Sequence, residues 1–288
     1  MSNVLVLGAG SRLTQQIGRL IPIRYVARHP ARSGPEISQV ADYRAIPSAV
    51  FEGVTTVINC VGCAHGEAET LDEVNCVVPI NAARAGRVAG VRHFIQIGSL
   101  SVYGRATAID RNTIVAPATA YGRSKAKADA GLAQLADDGF AVTIVRAPAI
   151  YGPGALGKIG KLAQLMRVAR VLPVPRTLAA RSVVHSRNVA AAIVALTARP
   201  AESSIEFVAD HDPFTLATLA EAIKASGGPR VRLVPVPDIV TQLLRHTAPG
   251  LFASLYAPSL IDPGAAMTTA MTLPITLADG LASALAGR

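Results

Sequence analysis

Short apolar runs alternate with longer alanine-rich stretches along the first half of the chain. Residues 4–7, 23–26, 54–59, 94–97 and 142–146 are brief runs rich in Val and Ile, the length and composition of strands buried on both faces. Residues 11–20, 71–89 and 120–137 lie between them and have the composition of helices. Strand and helix in alternation predict a doubly wound α/β fold, a parallel sheet with helices on both faces and ligands at the carboxyl ends of its strands. Past Tyr151 the regularity fades, because prolines at 173, 175, 213, 235, 237, 258, 263 and 274 cut the chain into short pieces. The expected organisation is a core over 1–150 with return segments around 181–210, and a smaller lobe over 151–288 that carries most substrate contacts.

The 288 residues suffice for one large domain or a domain with a lobe, and half of them are hydrophobic, ample for a core. Met1 to Leu7 lack a basic leader, and no apolar run reaches membrane-spanning length. A cytoplasmic protein with no membrane partner is expected. The net charge of +9 and isoelectric point of 9.9 fit an acidic ligand. The arginines are scattered and aromatics are only 4% of residues, which argues against a nucleic-acid platform and for phosphorylated small molecules. A basic solvated surface is the plain alternative. Cys60, Cys63 and Cys76 form an odd set, and Cys60-x-x-Cys63 has no second pair to close a zinc site. Buried reduced thiols and no metal are expected.

Two patterns carry chemistry. Val4-Leu5-Val6-Leu7 runs straight into Gly8-Ala9-Gly10-Ser11-Arg12-Leu13, a strand, a tight turn and a helix start, where glycine lets a pyrophosphate approach the main chain. This is a dinucleotide turn of the Rossmann type, or an ordinary glycine turn. In Tyr121-Gly122-Arg123-Ser124-Lys125 a phenol and an ammonium four residues apart stack on one helical face, with Ser99 upstream at the end of a strand. An unperturbed phenol titrates near pH ~10, and the neighbouring cation is expected to lower that value and make Tyr121 a proton carrier. Ser99 would hydrogen-bond the oxygen that Tyr121 protonates. Together the three read as alcohol/carbonyl redox chemistry; an exposed pair that anchors nothing is the bland alternative.

These motifs, with Val57-Ile58-Asn59-Cys60-Val61-Gly62, Val74-Asn75, Ser99-Leu100-Ser101-Val102-Tyr103-Gly104, Arg146-Ala147-Pro148-Ala149-Ile150-Tyr151-Gly152-Pro153-Gly154 and Arg181-Ser182-Val183-Val184-His185, stand in a telling order and spacing. The chain resembles the extended short-chain dehydrogenase/reductases of the NAD-dependent epimerase/dehydratase family over nearly its whole length. The resemblance implies Tyr121 as acid/base, Lys125 as the residue that lowers its pKa and holds the nicotinamide ribose, and Ser99 as the hydroxyl that orients substrate. It places Gly8, Gly10, Ser11, Arg12, Leu13, Val61, Gly62 and Pro148 along the cofactor. Asp42 would reach the adenine, or cap a helix. Ser101 would be a second hydroxyl or a turn cap, and His65 would face the sugar or solvent. Arg181 would hold a substrate diphosphate, or join a surface ion pair. Tyr103 and Tyr151 read as packing residues. Ser11 and Thr14 stand where the family turn has glycines, Ala149 where many epimerases have asparagine, and Asn188 where an aspartate is common.

The second strand ends in Ala27-Arg28-His29. Arg28, with Arg12 and Arg32, favours the extra phosphate of NADP(H), while an arginine stacked on adenine would leave NAD(H) in place. The segment from Gly154-Ala155-Leu156-Gly157-Lys158 to Pro175 resembles enzymes acting on UDP-linked N-acetylated sugars. Three readings follow: an NAD(P)-dependent reductase or 4-epimerase of a UDP-sugar; a non-catalytic cofactor-binding subunit used in redox sensing or assembly; and a reductase of a lipid or small aldehyde. The family also implies a homodimer through the alanine-rich helices over 71–89 and 120–137, with a monomer as the alternative.

Overall fold

The computed structural model describes residues 3–28, 37–153, 157–247 and 257–286. Its strands are β1 (Val4–Leu7), β2 (Arg24–Ala27), β3 (Ile37–Gln39), β4 (Thr56–Asn59), β5 (His93–Ser99), β6 (Ala108–Ile109), β7 (Ala141–Ala147), β8 (Ala149–Tyr151), β9 (Val171–Val174), β10 (Val183–His185), β11 (Ser204–Phe207), β12 (Arg232–Pro235) and β13 (Leu260–Ile261). The helices that matter below are α1 (Arg12–Ile17), α2 (Ala68–Asp72), α3 (Val78–Val88), α4 (Ala120–Ala133), α5 (Gly157–Ala169), α6 (Ser186–Thr197) and α7 (Leu216–Ala225). Seven strands form one sheet in the order β3-β2-β1-β4-β5-β7-β11, and every pairing in it is parallel. Strands β1, β4 and β7 are buried at every position, so their sequences are nearly unbroken apolar runs. The order reverses between β1 and β4, the place where doubly wound sheets bind ligands.

Helix boundaries depart from the periodicity for local reasons. The helix expected over 11–20 ends at Ile17 and closes through Gly18 N to Thr14 O at 3.0 Å; the closing residue is glycine because a Cβ there would collide with the Tyr25 hydroxyl. The stretch 71–89 breaks into α2, a π-helical turn over Glu73–Val77 and α3. Pro79 has no N–H with which to continue an α-helical ladder, and the widened turn before it accommodates the loss.

The chain divides into two compact units: Met1–Arg105, Thr113–Pro148 and Val189–Val208 form the first, and Ala106–Asn112, Ala149–Asn188 and Ala209–Arg288 form the second. Residues 106–112 thus leave the segment read as core, because β6 pairs with β13. In the first unit Leu5, Leu7, Phe51, Phe94, Leu132 and Phe140 pack in one cluster, each such side chain contributing about 1.5–3 kcal/mol by its burial. The second unit has its own cluster, centred on Tyr151, Met166, Leu219, Ile223 and Leu281, and three two-stranded ribbons, β8 with β10, β9 with β12 and β6 with β13.

Within this second core the Tyr151 hydroxyl donates to Asp210 Oδ2 at 2.7 Å, while Asp210 Oδ1 accepts from His185 N at 3.0 Å and Asn188 Nδ2 at 2.7 Å. Asn188 also donates to Ile275 O at 2.8 Å. An aspartate at 188 would set a second carboxylate against Asp210, which explains the amide there. His185 is buried, its Nδ1 accepts from Arg187 N at 3.2 Å, and burial lowers its pKa to about 4. The unfolded chain therefore takes up this proton before the folded one. Stability should fall by about 2–3 kcal/mol as pH drops from 6.5 towards 4. Denaturation curves across that range, compared with His185→Gln, check this; an unchanged acid limb in the variant would refute the assignment.

Candidate active site

The first unit gathers the residues singled out by spacing. Ser99 ends β5 and caps the 3-10 turn Leu100–Tyr103: its Oγ accepts from Ser101 N at 3.1 Å and lies 3.2 Å from Ser101 Oγ. The capping residue is thus Ser99 and the capped amide that of Ser101. Helix α4 starts at Thr119, whose Oγ1 accepts from Gly122 N at 3.0 Å. Gly122 must be glycine because a Cβ would strike the Ser101 carbonyl, and this close approach brings Tyr121 against Ser99.

The Tyr121 phenol is raised above its ordinary value of 10 by burial, and a hydrogen bond with Ser99 opposes the rise. This corrects the expectation that Lys125 lowers it. The Lys125 ammonium is buried, donates to Ile97 O at 3.0 Å, and is itself pushed down by burial. Desolvation of the phenolate outweighs any help from a cation held on a β5 carbonyl.

Asn75, on the π-helical turn, is wholly buried. Its Oδ1 accepts from Cys63 N at 3.0 Å, and its Nδ2 reaches Cys63 O at 2.9 Å and Ser124 Oγ at 3.1 Å. It fastens the 60–63 loop to α4. Asn59 Oδ1 accepts from Val61 N at 3.1 Å and so fixes the start of that loop. A Cβ on Gly62 would lie 3.2 Å from Asn75 Oδ1 and 3.4 Å from Lys125 Nζ, so glycine keeps the space beside Lys125 open. A buried ion pair between α4 and β7, Asp129 with Arg146, carries no sequence signal for a role. Lys125 and Asp129 are one turn apart on α4, and Asp129 Oδ2 accepts from Arg146 Nε at 3.0 Å in a pair 5% and 7% exposed. Arg146 also donates to the Tyr103 hydroxyl and lies 5.1 Å from that ring's centre. Tyr103 is therefore a polar partner as well as a packing residue.

At the end of β1, Gly8 has φ 93°, and a Cβ on it would press against the Cys60 backbone at 3.2 Å. Gly10 has nothing within 4 Å of its Cβ position. Ser11 caps α1 by accepting from Leu13 N at 3.2 Å, and Thr14 Oγ1 donates to Gly8 O at 2.9 Å. The two departures from glycine thus spend their hydroxyls on the turn itself and leave its outer face at Gly10 bare, with Arg12 exposed beside it. That bare face and the Gly62 gap fit a dinucleotide.

Arg28 follows β2, exposed, its guanidinium 5.5 Å from the centre of the Tyr43 ring. His29 and Arg32 lie outside the described residues, as do 154–156. Asp42 caps no helix: it accepts from Arg44 N at 2.8 Å and Nε at 2.6 Å, contacts that hold its carboxyl below the usual range. His65 is exposed, and Pro148 is half-buried between β7 and β8. In the second unit Arg181 bridges Phe214 and Ser259, its Nε donating to Ala257 O at 2.7 Å, and burial lowers its pKa. Cys60, Cys63 and Cys76 are free and half-buried, and burial pushes the Cys60 thiol up to about 12. Among the described residues there is no cluster of metal-ligating side chains, and no helix is long and apolar enough to cross a membrane.

Comparison with known proteins bears on this site. UDP-glucose 4-epimerase of Vibrio cholerae is 33% identical over 202 residues, 65% of this chain and 61% of that protein's length. Ceramide reductase of Caulobacter vibrioides is 29% identical over 245 residues, 83% of this chain and 68% of the other. The solved structure of MoeE5 in complex with UDP-glucuronic acid and NAD superposes with a TM-score of 0.75 at 17% identity, covering 99% of this chain and 98% of its own, and shares the fold. The sequence model of the NAD dependent epimerase/dehydratase family matches residues 24–208, which take in β2 through β11 and all of Ser99, Tyr121 and Lys125. With that match laid over the parallel sheet and its glycine turn, the chain belongs to the NAD dependent epimerase/dehydratase family.

Proposed function

We propose that the protein is an NAD(P)-dependent oxidoreductase or 4-epimerase of a UDP-linked sugar, with Tyr121 as acid/base, Ser99 orienting the reacting oxygen and Lys125 holding the cofactor ribose. The observation that carries this reading is the placement of Ser99, at the carboxyl end of β5, beside the half-buried Tyr121 phenol, with the buried Lys125 one helical turn on and donating to Ile97 O of the same strand. The cofactor, when bound, supplies the hydride acceptor or donor at the sugar carbon. Tyr121 is protonated at neutral pH, so it gives its proton to a carbonyl oxygen in the reducing direction, and Ser99 holds that oxygen in line. A Lys125 ammonium would stabilise the phenolate left behind. The relatives support the substrate class: one is named for UDP-glucose, and MoeE5 is complexed with UDP-glucuronic acid and NAD.

Cofactor choice turns on Arg28. It stands after β2, where this kind of fold places the adenine ribose, and its guanidinium suits a 2′-phosphate. NADP(H) is the preferred cofactor in this reading, although the family name and MoeE5 both point to NAD. Arg28→Ala should raise KM for NADPH about tenfold and leave that for NADH within about twofold, the size of one charge-assisted contact. Initial rates with both nucleotides check it, and equal changes in the two constants would remove the preference.

The ceramide reductase match covers more of the chain than the epimerase match, and it favours a second reading as a reductase of a lipid carbonyl. One panel separates the two: NADPH or NADH with UDP-sugars, UDP-keto-sugars and long-chain ketones, followed by nicotinamide absorbance and product analysis. Interconversion of UDP-sugars without net absorbance change identifies an epimerase, and oxidation of NAD(P)H with a keto-sugar identifies a sugar reductase. Turnover confined to the lipid ketone would replace the sugar reading. Binding of cofactor with no turnover of any substrate would favour the non-catalytic subunit.

A further inference from the structure

In the second unit the amino-terminal ends of β9 and β12 and the side of α7 border a cleft of about 510 Å³, lined by none of the residues assigned above. Its lining carries Arg170, Lys224, Arg230 and Arg232, all exposed, against one carboxylate, Glu221. Glu221 reaches Lys224 only at 4.0 Å, with both side chains largely in solvent. Among the described residues no ion pair within 4 Å neutralises Arg170, Arg230 or Arg232. The fold sets the backbones of two of these residues side by side at the cleft. β12 pairs in parallel with β9, Arg232 opposite Val171, and Arg232 N donates to Arg170 O at 2.8 Å.

Arg170 itself is held in an unfavourable conformation. It follows α5 with φ 56°, the left-handed region that helix ends usually give to glycine, and it is the one non-glycine residue with positive φ among those described. A long cation kept where glycine would relieve the backbone suggests that the charge at 170 is used. Three guanidinium forks and an ammonium around a concave space match multiply charged phosphate oxygens, which accept paired N–H bonds.

We propose that this cleft binds a phosphate-bearing ligand, separately from the cofactor and substrate. The same chemistry is offered by a free di- or polyphosphate and by the headgroups of an anionic lipid surface. Val168 and Val171, 79% and 51% exposed beside Arg170, are the feature that a lipid surface would use.

The test uses the full chain and the double variant Arg170→Gly/Arg232→Ala. Arg19→Ala/Arg199→Ala, which removes the same charge from the first unit, serves as the control. Glycine relaxes the backbone at 170, so the double variant should stay folded and melt roughly 2 °C higher than the parent in the absence of ligand. Calorimetric titration with pyrophosphate should give saturable binding in the parent and the control, weakened at least tenfold in the double variant; that identifies a site for soluble phosphates. Co-sedimentation with phosphatidylcholine vesicles containing phosphatidylglycerol, and not with phosphatidylcholine alone, lost only in the double variant, identifies the lipid source. The proposal is overturned if the parent binds neither probe, or if the double variant and the control bind alike. Both measurements are independent of turnover, so a failure here leaves the proposed reaction untouched.

Discussion

Tyr121→Phe should lower kcat by about a thousandfold while leaving cofactor affinity within about threefold. The phenyl ring keeps the packing of the half-buried Tyr121 beside Ser99 and removes only the hydroxyl. General acid–base catalysis by a positioned side chain contributes ~10²–10⁴, and besides Tyr121 the described side chain at Ser99 Oγ is that of Ser101, 3.2 Å away. Ser101 is a poor substitute as a proton donor at neutral pH. The direction of the Tyr121 shift adds a pH signature. The phenol is held protonated, so the reducing direction should run at a constant rate through neutral pH and decline only above the ordinary tyrosine value of 10. The oxidising direction needs the phenolate and should rise with pH across the same interval. Steady-state kinetics of both directions, with cofactor binding followed by nicotinamide fluorescence, make the comparison. A residual rate above a tenth of the parent's would show that Tyr121 is not the acid/base.

Why this much of the site can be read from sequence, and not more, follows from how each part is built. Tyr121, Lys125 and Ser99 announce themselves because helix spacing and the end of an apolar run are local patterns. The sign of the Tyr121 shift is not local. It depends on how far α4 sinks against the turn after β5, which Gly122 decides through space. Asn75 shows no role in the sequence Val74-Asn75, because it is a π-helical turn that aims its amide at Cys63 and Ser124. The sheet behaves in the same way. Strands buried on both faces leave clear apolar runs, whereas β3 is only three residues long and β11 sits at the sheet edge with the alternating sequence Ser-Ile-Glu-Phe. The β6 and β13 pair is two residues long and carries no periodic signal at all, so the excursion of 106–112 into the second unit could not be foreseen.

The deepest structural commitment of the first unit is the pair that the spacing does not advertise. Asp129 and Arg146 are each more than nine-tenths buried, joined through Asp129 Oδ2 and Arg146 Nε at 3.0 Å, while Asp129 Oδ1 has no hydrogen-bond partner among the described residues. Such a pair is weak evidence of net stabilisation, but removing one partner strands a charge in a medium that cannot solvate it. Asp129→Ala should therefore cost about 3–5 kcal/mol and lower Tm by roughly 10 °C. Asp129→Asn keeps a carbonyl acceptor for Arg146 and should cost less. The pH dependence separates this pair from His185. Burial raises the Asp129 carboxyl despite Arg146, so the folded protein binds that proton more tightly than the unfolded chain. From the folded value down to the ordinary 3.8, Asp129 contributes stability that grows as pH falls, opposite in sign to the contribution of His185. Melting curves of the parent, Asp129→Ala and Asp129→Asn at neutral and acid pH test both statements. If Asp129→Ala melts within about 2 °C of the parent, the guanidinium of Arg146 has found water or another acceptor, and the pair is not what fixes α4, with its Tyr121 and Lys125, against β7.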